Sequence, residues 1–290
     1  MTEPLSNKQL LLLLIYSGFT TRQIYRLFPD FEKLVGKKHI LIERLEACRD
    51  RHIQAKVNTL KTIDIHVIEQ QLITQNIHAV SIDDSQYPHL LKYIYDPPPI
   101  LFCRGKCQLL KHSNTLAIVG SRVHTQYTNK VLSDFMPHFA KAKLTIVSGL
   151  AKGADALAHE IAIKNGCATI GVLGFGHLHH YPRDTRYLRD EMEKYHITIS
   201  EYPPFVPPAK FRFPERNRII SGLSKGVFIT EAKERSGALI TVDQALQQNR
   251  NVYVLPGDIY NPYTKGNLLR IQEGAEIILS EKDIMKDYCQ

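Results

Sequence analysis

Nothing in the 290 residues is long and apolar enough to cross a bilayer as a helix. The longest uninterrupted apolar run, Leu10 to Tyr16, falls far short of the roughly 20 residues that a crossing needs. That run neither follows a basic start nor leads to a small-residue cleavage site, so it does not read as a signal peptide, and no membrane partner is expected. Cysteine is sparse. Five residues, an odd count scattered from Cys48 to Cys289, make no disulfide framework, and the reduced thiols of a cytoplasmic protein are the easier account. Cys103 and Cys107 are the only close pair, and one pair does not complete a tetrahedral zinc site, so no metal is expected. The phosphate-loop pattern GxxxxGK followed by Ser or Thr is absent, and no GxGxxG opens a helix. Nucleotide hydrolysis and dinucleotide binding both lose support, and no cofactor is expected. Tandem repeats and low-complexity segments are missing too.

What remains is ordinary globular material, 43% hydrophobic and 23% charged, long enough for one large core with a smaller module attached. Its formal net charge of +8 suits an anionic partner, which the balance alone leaves open between nucleic acid, a phosphate metabolite and a membrane surface.

Residues 1–75 read as a small all-helical module. Thr20 or Thr21 can cap a helix over TRQIYRLF that Pro29 and Asp30 break, and from Lys37 to Val67 apolar residues recur at near-helical intervals. Such a module can contact DNA or serve as a packing or dimerisation cap. Residues 76–113 read as a stiff connector laid against the main domain, with short strands at Ala79–Ile82 and Ile100–Cys103 and the extended Pro97-Pro98-Pro99 run between them. Residues 114–290 alternate seven strands with helices. The strands are expected at 116–120, 144–148, 168–173, 197–200, 227–230, 252–255 and 276–279, with helices near 126–141, 153–164, 183–194, 214–223, 238–248 and 265–273. This is the pattern of an α/β fold with a doubly wound, mostly parallel sheet, whose turns gather at one carboxyl edge.

Four of those turns suit an anion. Gly120-Ser121-Arg122 offers backbone N–H groups, a hydroxyl and a guanidinium. Ser148 to Asp155 (SGLAKGAD) puts two glycines and Lys152 at a helix start, where unpaired N–H groups and the helix dipole favour negative charge. Gly171 to Gly176 (GVLGFG) ends a third strand. Between Lys210 and Lys225 stand Lys210, Arg212, Arg216, Arg218 and Lys225 against the single acid Glu215, interleaved with Phe211 and Phe213 and preceded by Phe205. Cations that neutralise phosphates and rings on which bases stack are the parts of a single-strand groove. The plain alternative is a solvated basic face with phenylalanines in the core.

Other candidates have structural readings that weigh more. Asp155 and His159, four apart on one helix face, can be an acid and a base, but more simply hydrogen-bond each other and the neighbouring turn. His177, His179 and His180 lack a spacing that puts several imidazoles on one metal. Glu231, with Ser236 and Gly237, can be a catalytic carboxylate or a capping and turn residue.

Taken together, the chain resembles the DNA processing protein A family, also called Smf, of bacterial natural transformation. The matching strings are YPHLLKYIYDPPPILFCRG (87–105), AIVGSR (117–122), SGLAKGADALAH (148–159), SEYP (200–203), FPERNRIISGLS (213–224), TEAKERSGALIT (230–241) and VLPGD (254–258). They run in the family's order. The resemblance implies an extended Rossmann-like domain that binds single-stranded DNA without cutting it, works as a homodimer and loads the RecA recombinase onto incoming strands. It implies that Arg122 and Lys152 hold backbone phosphates, that Arg216, Asn217 and Arg218 line the same pocket, and that Phe213 is available to a base. Ser121, Gly149, Gly153 and Gly237 would supply close backbone approach, with Lys225 and Ser236 completing the nucleic-acid-binding set.

Three departures stand out. GFGHL at 174–178 replaces the common GSGLD, Thr185 stands where Asn is usual, and the winged-helix module that many relatives carry after the sheet is not expected here. An enzyme acting on a nucleotide, as in the related phosphoribohydrolases, would call for a PGGxGTxxE loop, but Pro256-Gly257 is followed by Asp258-Ile259-Tyr260. A third reading makes the sheet a scaffold for protein contacts only.

Overall fold

The computed structural model describes residues 4–29, 36, 38–48 and 50–288, so Asp30, Lys37, Cys289 and Gln290 lie outside the described residues. Helices come first: α1 (Asn7–Tyr16), α2 (Thr21–Leu27), α3 (Lys38–Glu46), α4 (Arg51–Thr62) and α5 (Ile65–Thr74). α1 is apolar on every side and is accordingly buried from Leu10 to Ile15, entered through a Ser6/Gln9 capping box. Thr20 rather than Thr21 caps α2, again with a glutamine three residues on. The near-helical run from residue 37 to 67 is three helices, not one. Asp50 and Asp64 each accept the backbone N–H two residues later, at 2.8 and 2.9 Å, and so restart the helix twice.

After α5 come β1 (His78–Ser81), α6 (His89–Lys92), β2 (Ile100–Gly105), β3 (Thr115–Val119), α7 (Gln126–Lys141), β4 (Thr145–Ser148), α8 (Ala154–Lys164) and β5 (Ala168–Leu173). The chain continues through α9 (Arg186–Tyr195), β6 (Ile197–Ser200), α10 (Arg212–Gly222), β7 (Gly226–Ile229), α11 (Gly237–Gln247), β8 (Asn251–Val254), α12 (Lys265–Gln272), β9 (Glu276–Ile277) and α13 (Glu281–Met285). The seven expected strands are all present, with ends shifted by a residue or two.

The sheet has nine strands in the order β1-β2-β6-β5-β4-β3-β7-β8-β9. From β6 to β9 every pairing is parallel, while β2 is antiparallel to both β1 and β6. The connector is therefore part of the sheet rather than a layer on it. The proline run remains extended, pinned where the Tyr87 hydroxyl donates to Pro98 O at 2.8 Å and the Tyr25 hydroxyl to Pro97 O at 2.9 Å.

Strand alternation sorts the core. In β3, Ala117 and Val119 face α10 and α11, and Leu116 and Ile118 face α7 and α8. In β2, Leu101 and Cys103 join the first of these layers, whereas Ile100 and Phe102 pack under the N-terminal helices. Because β4 to β6 extend one way from β3 and β7 to β9 the other, the crossovers diverge at the carboxyl ends of β3 and β7. In doubly wound sheets that point is a crevice.

Candidate nucleic-acid interface

A cleft of about 700 Å³ occupies that crevice. Its floor is the ends of β3, β4 and β5, and its walls are the starts of α8, α10 and α11. Gly120 closes the end of β3, where a Cβ would collide with Thr230 Oγ1 and lie 2.7 Å from the Ala154 Cβ. The turn is then fixed by Ser121 N donating to Glu231 O at 2.6 Å and Ala154 N donating to Ser121 O at 3.1 Å. Arg122 leaves this turn exposed and makes no ion pair among the described residues.

The SGLAKG turn lies against the first. Gly153 has φ +90°, and a Cβ there would strike Arg122 O, so only glycine lets α8 begin so close to the GSR backbone. Lys152 reaches Asp184 at 3.2 Å, but both side chains are nearly two-thirds exposed (65% and 62%), so the pair is weak and open to exchange. Beneath them Arg216 is buried. Its Nη1 donates to Gly149 O at 2.6 Å and Val172 O at 2.5 Å, and its guanidinium occupies the space a Cβ on Gly149 would need. Burial lowers the pKa of Arg216, with Asp155 opposing that shift and Arg122 adding to it. Burial raises that of Asp155, with Arg216 and the N–H groups of Gly149 and Ala151 opposing the shift. Arg216 is thus a strut that puts positive charge under the floor.

On the far wall Ser236 caps α11 by accepting Ala238 N at 3.3 Å, and Asn217 Nδ2 donates to Gly237 O at 3.2 Å. A Cβ on Gly237 would meet nothing within 4 Å beyond its own turn of α11, so this position is open to a ligand. Phe213 stands at the rim with Tyr181, ring centroids 5.5 Å apart and tilted 34°. Tyr181 and Lys210 also line the cleft and were absent from the residues assigned from sequence. In the sequence Lys210 stands out only as a member of the basic cluster, and nothing local marks Tyr181.

Two expected cations are elsewhere. Arg218 is 7% exposed, its Nε 3.2 Å from Asp96 and its Nη2 2.7 Å from Glu201, which also accepts Thr21 Oγ1 at 3.2 Å. Residues two apart on a helix point ~200° from each other. With Arg216 at the cleft, Arg218 therefore turns to the seam with α2. Lys225 precedes β7, at the amino edge of the parallel strands, where its Nζ donates to Asn114 Oδ1 at 2.6 Å and lies over the Tyr288 ring.

The remaining candidates have structural partners. Glu231 is buried and accepts Thr125 N, Thr125 Oγ1 and Thr128 Oγ1 at 2.7–2.9 Å, which ties β7 to the start of α7. His159 Nδ1 pairs with Thr169 Oγ1 at 2.6 Å while Asp155 holds its own turn, so the two have different partners. Burial holds both His159 and His177 down to about 3. His177 Nε2 lies 3.2 Å from Thr198 Oγ1, and Arg189 donates to the carbonyls of His177 and His179, so the departing loop is fastened from below. Thr185 Oγ1 donates to Leu150 O at 3.0 Å, which supports the SGLAKG turn at the position where asparagine is usual. Among the described residues no three His, Cys, Asp or Glu side chains are placed to hold a metal, and no helix is long and apolar enough to cross a membrane.

Fold and cleft together define an extended Rossmann-like protein with a cation-rimmed site at its topological switch point. The sequence pattern of the family DNA recombination-mediator protein A matches residues 78–289, and the chain belongs to that family. DNA processing protein DprA of Bacillus subtilis is 45% identical over 213 residues, 73% of this chain and 72% of its own length. An X-ray structure of DNA processing protein A from Streptococcus pneumoniae matches with a TM-score of 0.86 at 36% identity, covering 97% of this chain and 98% of that one. A structure of DNA processing protein A from Helicobacter pylori, described for its single-stranded DNA binding mode, matches with a TM-score of 0.66 at 27% identity over 73% of this chain and 95% of that one.

Proposed function

We propose that this chain binds single-stranded DNA in the cleft without cutting it, as a DNA-processing protein of transformation. One observation carries the reading. The exposed Arg122 and Lys152, the starts of α8 and α11, and the Tyr181–Phe213 ring pair all border one cavity. Phosphates then lie against the Ser121-Arg122 turn, Lys152, Gly153 and the Ser236-Gly237 backbone, and a base rests on the paired rings. Arg216 contributes field from below and Asn217 positions the Gly237 carbonyl. Among the described residues Asp155 is the one carboxylate in the lining, and it is buried and held by backbone N–H groups, while Asp184 stands exposed outside it, paired with Lys152. The ligand named for the H. pylori relative supports the same substrate. In this reading the protein is a cytoplasmic homodimer that shields the incoming strand and hands it to the RecA recombinase.

Arg122→Ala and Lys152→Ala are each expected to weaken retention of an oligothymidine about tenfold in a gel shift at moderate salt. Each should also reduce the slope of log affinity against log salt by about 0.7, the share of one released counterion on a single strand. Wild-type retention by both variants overturns the cleft assignment.

A further inference from the structure

We infer that a second stacking position lies just outside the cleft, on the ledge made by Phe211, Arg212 and Tyr202, and takes the next base of the same strand. The inference rests on the cleft being a single-strand site and extends it by one step. Lys210 and Phe213 both line the cleft, so the two residues between them cross its rim. Phe213 turns inward to Tyr181, whereas Phe211, at the cap of α10 with φ −70° and ψ −22°, turns outward and is 62% exposed.

The ring is not bare. The Arg212 guanidinium lies 5.1 Å from the Phe211 centroid and 5.4 Å from that of Tyr202, within the range of a cation–π contact for each. Pro207 O accepts from Arg212 Nη1, and the Tyr202 hydroxyl donates to Glu215 at 2.7 Å, so cation and second ring are both anchored. Arg212 makes no ion pair among the described residues, which leaves its charge available to a phosphate. An exposed aromatic face beside an uncompensated guanidinium, continuous with a basic cleft, is suited to a nucleobase and its phosphate together. A protein partner would be expected to want a wider apolar patch than one ring.

The test compares two oligothymidines, one of about four nucleotides that fills the cleft alone and one of about ten that also reaches the ledge. Phe211→Ala should weaken the longer oligonucleotide roughly tenfold and leave the shorter one unchanged, while Phe211→Trp keeps both near wild type. Arg122→Ala should weaken both lengths. If Phe211→Ala binds both lengths like wild type while Arg122→Ala loses both, the ledge is refuted, the cleft stands, and the ring belongs to a protein contact. Equal loss on both lengths with Phe211→Ala also refutes a position outside the cleft. If Arg122→Ala changes neither length, the cleft reading fails, and this inference with it. Phe211 lies on the surface, so its substitution is expected to leave the thermal melting point in place.

Discussion

Cations on the two sides of α10 are in opposite circumstances. At the cleft rim Arg122 is exposed without an ion pair among the described residues, and Lys152 has only a solvent-screened partner in Asp184. At the seam below, Arg218 is buried between Asp96 and Glu201, two carboxylates brought from the connector and from the end of β6. A rim cation can still trade water for a phosphate. A seam cation has already traded water for carboxylates, and its role is to hold the N-terminal helices against the sheet. The cations expected to bind the strand therefore divide into a ligand-facing part and a framework part.

The largest test of that division is Arg218→Ala. Removing one member of a buried pair strands the other charges, so the variant should lose about 3–5 kcal/mol of stability, read as a lowered denaturant midpoint. Folded protein should keep its oligonucleotide affinity. Lost affinity with an unchanged midpoint would erase the distinction between rim and seam.

Acid should act next, and on the framework. His159 and His177 are held near 3 by burial, with His196 adding to the shift at the first and Arg189 at the second, against roughly 6.5 in an unfolded chain. Between those values the unfolded state binds more protons. Stability from these two groups is therefore complete above about pH 6.5 and is lost as pH falls towards 3, by roughly 1.4 kcal/mol per pH unit for each histidine. Denaturant midpoints taken between pH 7 and 5 should show that slope, and His177→Gln should remove one histidine's share. A flat profile would mean the buried side is less closed than the geometry requires.

The smallest effect is expected at Lys225. From the amino edge of the sheet it cannot reach the cleft, so Lys225→Ala should leave oligonucleotide retention unchanged and cost under about 1 kcal/mol for the lost contacts with Asn114 and Tyr288. A loss on the scale of Arg122→Ala would place both edges of the sheet in one binding path.

These contrasts also mark where sequence reading succeeds and stops. Strands such as Ala168–Leu173 and Ile197–Ser200, and the helix Gln126–Lys141, lie where the apolar pattern puts them, because each is specified by its own residues. The turns at Gly120 and Gly153 were legible for a similar reason, since the need for glycine is local. Arg218 was not, although helical phase alone separates it from Arg216. Its partners Asp96 and Glu201 come from other elements, and nothing local to FPERNR announces them. The antiparallel addition of β1 and β2 was hidden likewise, because joining β2 to β6 pairs Phe102 with Ser200 across about a third of the chain. Tyr181 became part of the site only when its loop was seen beside Phe213.

β2 has a consequence of its own for how such chains can vary. Its outer-facing Ile100 and Phe102 are both fully buried, and what hides them is the bundle of helices that precedes the sheet. A relative trimmed of that bundle inherits a greasy stripe beside its outermost strand. It stays monodisperse only by swapping those two positions for polar side chains or by recruiting another cover, so the length of the front end and the chemistry of one strand must evolve together.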